Sequence, residues 1–184
     1  TRQGKIMQER MESAAQAEMR HAYYDGAPGV LVSGSVWLVA ALVCQLQGVE
    51  RGIWALLIGG ALIHPLSLLV TKVLGRPATT AKGNPFASLA MASTVWLIVC
   101  CVFAYGLSRH VPSWFFLAML ATIGSRYMVF ATIFGRSIYW ILGGVLIAAA
   151  YGAGALHLPP VQAAALGGLI EIVFAAAIFR RAKA

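Results

Sequence analysis

The chain has 184 residues, of which 60% are hydrophobic and only 11% charged, with a formal net charge of +8. A water-soluble domain of this length needs a charged surface that these residues cannot supply, so the composition excludes that class and points to the membrane. The excess of positive charge does not point to nucleic acid, because no separate polar, basic domain exists to carry it.

The first segment, residues 1–24, is polar and compatible with a helix. Met7, Met11, Ala15, Met19 and Tyr23 recur at four-residue steps. This spacing predicts a helix lying against the membrane or its cytoplasmic face. It lacks the apolar core of a signal peptide. Residues 25–184 then form one transmembrane domain. Its apolar residues fall into six runs near the ~20-residue length that a helix needs to cross a bilayer core of ~30 Å. The predicted spans are Ala27–Gln45, Ile53–Val73, Pro85–Leu107, Trp114–Phe134, Ile138–Leu156 and Val161–Phe179. A polar turn, Gln47 to Gly52, separates the first two. Gly75-Arg76-Pro77 ends the second, and Asn84-Pro85 reads as an N-cap with proline at the first helical position. Ser108 to Ser113, Phe134 to Ser137, and His157 to Pro160 supply the remaining turns. The fold class is therefore all-α, a polytopic membrane protein of three helical hairpins with a short amphipathic N-terminal helix.

Charge predicts the orientation. Of the fourteen lysines and arginines, eleven lie in the N-terminal segment, the second and fourth connections and the C-terminus. Arg51 and Arg109 lie on the other side, and Arg126 falls inside the fourth span. By the positive-inside rule both termini are cytoplasmic, as in a multi-pass protein of a bacterial inner membrane. The three basic residues between Lys72 and Asn84 are expected to meet solvent or anionic lipid headgroups.

A faint repeat runs through the chain. Ser35-Val36-Trp37-Leu38-Val39 resembles Thr94-Val95-Trp96-Leu97-Ile98, and Leu74-Gly75-Arg76 resembles Phe134-Gly135-Arg136, both at an offset of 59 to 60 residues. The pattern predicts hairpins related by an axis along the membrane normal. A plain topological reading, tryptophan at interfaces and Gly-Arg at any basic turn, accounts for the same residues.

Three ionisable residues interrupt the apolar spans: His64, Arg126 and Glu171. Each costs on the order of 2.5–3.5 kcal/mol in hydrocarbon unless it finds a partner. They lie in the second, fourth and sixth spans, which run in the same direction. Gly60, His64, Ser67 and Thr71 share one helical face, as do Ala164, Gly168, Glu171 and Ala175. Ala118, Thr122, Ser125 and Arg126 cluster on a third, and Gly144, Ala148 and Gly152 form a small-residue ladder on the fifth span. Such stripes are expected to face protein. Arg126 cannot be neutralised by deprotonation, so Glu171, the only acid in any span, is its expected partner. Pro65 is expected to kink the second span beside His64. Tyr105, Tyr127 and Tyr151 are expected to add hydroxyls to the interior, while Trp54, Trp114, Tyr139 and Trp140 read as interfacial belt residues.

No enzyme motif is present: there is no GxSxG, HExxH, P-loop or CxxC. His64 has no second ligand at metal-binding spacing, so neither a metal nor a cofactor is expected. Cys44, Cys100 and Cys101 read as packing residues. The leading expectation is a small transporter, channel or ligand-binding protein. Its candidate ligand-binding or ion-pathway residues are His64, Ser67, Thr122, Arg126, Tyr127 and Glu171. Its expected partners are membrane lipids, a small anionic or protonatable ligand and further copies of the chain. The rival is a non-catalytic scaffold whose buried charges hold helices together, and a membrane enzyme acting on lipid ranks third.

The stretch from His64-Pro65-Leu66-Ser67 to Gly83-Asn84-Pro85-Phe86, with its flanking spans, resembles an uncharacterised bacterial family of short six-helix membrane proteins, a domain of unknown function. The resemblance implies the architecture and transfers no functional residue.

Overall fold

A computed structural model describes residues 2–183, without the side chains of Lys5 and Lys183. Thr1 and Ala184, the outer ends of the two expected segments, lie outside the described residues. The chain forms seven α-helices: α1 (Arg2–Tyr23), α2 (Ala27–Gln47), α3 (Val49–Val73), α4 (Pro85–Ser108), α5 (Trp114–Phe134), α6 (Ile138–Ala155) and α7 (Pro160–Lys183). No strand occurs among the described residues. The six helices α2 to α7 contain stretches long and apolar enough to cross a membrane.

Local chemistry explains most boundaries. Asn84 caps α4, its side-chain oxygen accepting from the Phe86 amide at 3.0 Å, with Pro85 at the first helical position. The expected polar turn from Gln47 to Gly52 shrinks to Gly48 alone. That residue takes a backbone conformation (φ 94°, ψ 166°) suited to glycine, and α3 begins at once. Gly52 is already helical, and a close approach to Cys44 on α2 leaves no room there for a Cβ. Pro65 lies within α3 without ending it. Between α1 and α2, Tyr24, Asp25 and Gly26 have φ values of 54°, 53° and 81°. Two non-glycine residues in this region are strained and must be held by their surroundings.

The hairpins α2–α3, α4–α5 and α6–α7 all form. They do not pack as three equivalent units. α2 sits between α3 and α7, α5 packs along α6, and α4 leans on α5. Helices α3 and α4 lie at the edge: only 11% of their most apolar window is buried, against 39% in the other four spans. The repeated tryptophans show the inequality. Trp37 is wholly buried, and its counterpart Trp96 is 61% exposed.

Close approaches between small residues set the two main crossings. At the α2–α7 crossing a Cβ on Gly168 would meet the Gly34 carbonyl at 2.9 Å. At the α5–α6 crossing Gly124 and Gly143 face each other in the same way. The ladder Gly144, Ala148 and Gly152 therefore does not carry the packing of α6. Ala148 is exposed, no atom approaches Gly144 or Gly152 within 4 Å, and the packing glycine is the neighbouring Gly143.

The N-terminal helix, the α3–α4 connection, the α5–α6 turn and the end of α7 share one face. Gln16 donates to the Thr132 carbonyl at 2.7 Å and Arg20 to the Phe134 carbonyl at 2.8 Å. Glu18 accepts from the Ala81 amide and, at 2.8 Å, from Asn84 Nδ2. The carboxyl of Glu18 is held below the usual range by these bonds, the one to the Ala81 amide weighing most. Met19 and Ala22 are buried against this face, while Ile6, Met7 and Met11 are exposed. At the opposite face Trp54 on α3 meets Tyr105 on α4, ring centroids 5.4 Å apart, and Arg109 lies 3.9 Å from Glu50.

Candidate functional site

The deepest polar group is Glu171, in the middle of α7 and fully buried. Gly34 on α2 makes this possible: a Cβ there would come within 3.0 Å of the Glu171 Cβ. From α5, Tyr127 donates its hydroxyl to Glu171 Oε1 at 3.1 Å. The buried Ser33 hydroxyl lies beside both groups. Among the described residues the other carboxyl oxygen, Oε2, has no hydrogen-bond partner, and neither has the indole N–H of Trp37 one turn along α2. A buried polar atom left unpartnered costs about 1–3 kcal/mol, and most are satisfied. Here an acceptor and a donor are both left open in the α2–α7 interior.

A line of polar and aromatic contacts leads from this cluster to the face that carries the termini. The Tyr127 ring stacks on Tyr139 of α6 with centroids 5.9 Å apart. Tyr139 donates its hydroxyl to the Asp25 carbonyl at 2.6 Å. The Asp25 carboxylate, in turn, accepts from Arg136 Nε at 3.1 Å. These bonds hold the strained turn at residues 24–26, and Gly26 is required there because the Tyr139 hydroxyl occupies the space of a Cβ. Tyr139 is thus a buried brace and not a belt residue. Trp54, Trp114 and Trp140 are exposed, as a belt requires.

The expected Arg126–Glu171 salt bridge does not form. The half-buried Arg126 donates from Nη2 to Thr94 Oγ1 at 2.9 Å and, at the 3.5 Å limit, from Nε to Ser93 Oγ. Its guanidinium also lies 5.2 Å from the centre of the Phe130 ring. Arg126 points from α5 towards α4, whereas Glu171 meets the other flank of α5. Arg126 therefore ties the peripheral α4 to α5 through the Ser93 and Thr94 hydroxyls, while the cation–π contact with Phe130, one turn along α5, steadies the guanidinium.

His64 is exposed on the outer side of α3, as are Gly60 and Pro65. The expected inward stripe of α3 divides: Gly60 and His64 turn outward and Ser67 is half-buried, while Thr71 is buried, because α3 is an edge helix whose inner face runs through Gly52, Ile53, Leu56 and Thr71. The Ser67 hydroxyl donates to the His64 carbonyl of its own helix at 2.8 Å. The Thr122 hydroxyl is turned back to the Ala118 carbonyl at 2.8 Å, and the residue lines an apolar groove between α4 and α5. Tyr151 is 81% exposed and adds nothing to the interior. Of the six residues singled out by sequence, only Tyr127 and Glu171 come together.

Ser33, Trp37, Tyr139 and Asp25 completed the cluster and its exit without being singled out. Asp25 had a usable signal, as the one acidic residue immediately before the first span. Ser33 and Trp37 had none, since serine and tryptophan recur in several spans. No group of three or more potential metal ligands occurs among the described residues.

Fold and site together define a six-helix, multi-pass membrane protein with a carboxyl group enclosed at mid-span. Residues 13–181 match the family described as "Family of unknown function (DUF7010)", and the chain belongs to that family. It shows no significant similarity to any curated protein or any solved structure.

Proposed function

We propose that this chain is a small membrane transporter in which Glu171 takes up and releases a proton or a protonatable ligand. The observation that carries this reading is the pair of open polar atoms, Glu171 Oε2 and Trp37 Nε1, in an otherwise packed interior. A carboxyl group without a cation to neutralise it exchanges charge with a proton or a ligand, and intramembrane acids commonly serve this purpose. Tyr127, Tyr139, Asp25 and Arg136 mark the route to the terminal face. The reading takes that face as cytoplasmic, on the eleven-to-two bias of basic residues, and takes the membrane as a bacterial inner membrane.

Proton flux tests it. Liposomes loaded with a pH-sensitive dye and polarised with potassium and valinomycin are compared for the wild type and Glu171→Gln. The reading expects flux in the wild type that disappears in a folded Glu171→Gln variant. A wild type that moves no protons, alone or with small carboxylates and amines added, would remove it.

The second reading is a membrane scaffold in which Glu171 fixes helix packing. The close α2–α7 crossing at Gly34 and Gly168 favours it, because the carboxyl is enclosed with no open path beside it. Under that reading Glu171→Gln changes stability alone.

A further inference from the structure

Where α5 turns into α6, beside the end of α7, lies a cavity of about 180 Å³ lined by Asp25, Gly135, Arg136, Ser137, Ile138, Ile178 and Arg181. Two arginines line it, Arg136 from the α5–α6 turn and Arg181 from the end of α7. Arg136 gives only its Nε to Asp25, and Arg181 makes no hydrogen bond or ion pair among the described residues. The single acid is accounted for by Arg136, so the cavity keeps a positive charge.

The backbone adds to it. Ser137 stands at the start of α6 without capping it through its side chain. The amides of Arg136, Tyr139 and Trp140 donate to the carbonyls of Ala131, Arg136 and Ser137, whereas those of Ser137 and Ile138 have no acceptor among the described residues. Two open amides, a free hydroxyl and two arginines thus border one hollow. Fixed donors of this kind suit a tetrahedral oxyanion, and arginine binds phosphate through paired N–H groups.

We infer that this cavity is a binding site for a phosphate group, carried by a phospholipid headgroup or free in solution. The site shares Asp25 and Arg136 with the route proposed from Glu171, but it does not include Glu171 and does not depend on the transport reading. It also has a structural consequence: a phosphate drawing on Arg136 competes with Asp25, whose backbone carbonyl is tied to Tyr139.

The test uses the full chain purified in detergent. Thermal unfolding is followed against inorganic phosphate, with chloride at matched ionic strength as the reference. Native mass spectrometry in parallel counts bound phosphatidic acid, phosphatidylglycerol and phosphatidylcholine. The expected result is saturable stabilisation by phosphate, or retention of the two anionic lipids over phosphatidylcholine, and the pattern tells the two sources apart. Arg181→Gln should weaken the response by about tenfold or more, the size of a lost charge-assisted hydrogen bond. Ser137→Asp places a carboxylate in the lining of the same cavity, where its charge opposes an anion, and should abolish the response while leaving the protein folded, since aspartate is a favoured N-cap residue. The inference is overturned if neither phosphate nor anionic lipid binds above its control. It is equally overturned if binding survives unchanged in both variants.

Discussion

Adjacent glycines on α6 should respond in opposite ways to the same substitution. In Gly143→Ala the new methyl would lie 2.5 Å from the Gly124 carbonyl oxygen and 3.0 Å from Met128 Cγ. Met128 can shift, but the carbonyl is backbone. Ordinary contact begins at 3.4 Å, so α5 and α6 must part by about 0.9 Å unless that carbonyl tilts aside. Overpacking by one methyl costs about 1–3 kcal/mol, and the rigid neighbour puts this site at the upper end. The better helix propensity of alanine returns roughly 0.5–1 kcal/mol, leaving a net loss of about 2 kcal/mol. Gly144→Ala meets no atom within 4 Å and keeps only the propensity gain. For a chain of this size about 1 kcal/mol moves the midpoint by roughly 2–4 °C. Gly143→Ala should therefore unfold about 4–8 °C lower than the wild type, and Gly144→Ala about 1–4 °C higher. Thermal unfolding in a single detergent, read by tryptophan fluorescence, measures both. If the two shift in the same direction, or if Gly143→Ala matches the wild type, the α5–α6 crossing is not where the structure places it.

Three further outcomes follow from the polar contacts. Tyr127→Phe removes the 3.1 Å donor to Glu171 and should cost about 1–3 kcal/mol, measured in the same unfolding assay. The exchanged pair Arg126→Glu with Glu171→Arg should not recover the stability lost by each single variant, because Arg126 is bound to Ser93 and Thr94 instead; near-complete recovery in a double-variant cycle would contradict this. Glu18, whose carboxyl is held below its ordinary 4.5, stabilises the α3–α4 connection fully above that value and loses the contribution as pH falls through its lowered value. Cleavage near Ala81 by an acid-active protease should rise over that interval in the wild type. In Glu18→Gln it should be high and flat.

Much of the architecture was legible in the chain because it depends on length and composition. An apolar run of about 20 residues is a span whatever surrounds it. Asn84-Pro85 caps α4 through contacts two residues away, so it too is local. The sharing of one face by the termini, the Lys72–Asn84 stretch and the α5–α6 turn follows from counting spans, and α1 contacts both connections there. The stripe Ala164, Gly168, Glu171 and Ala175 was read correctly as inward, and all four residues are buried.

What the sequence could not rank was the helices. A membrane span is apolar on every side, so hydrophobic periodicity does not say which face meets protein. Small residues line the outward face of α3 at Gly60 as well as the inward face of α7 at Gly168, and only the crossing distances separate them. Placing α3 and α4 at the edge decided the rest. It turned His64 outward, left Trp96 exposed while Trp37 is enclosed, and gave Arg126 the hydroxyls of α4 in place of Glu171. Composition and length determined that this chain forms six helices long and apolar enough to cross a membrane, with three ionisable groups inside those apolar runs. Only the tertiary packing determined that one of them, Glu171, is enclosed with an open oxygen, because close approach at Gly34 and Gly168 seals α2 against α7 around it.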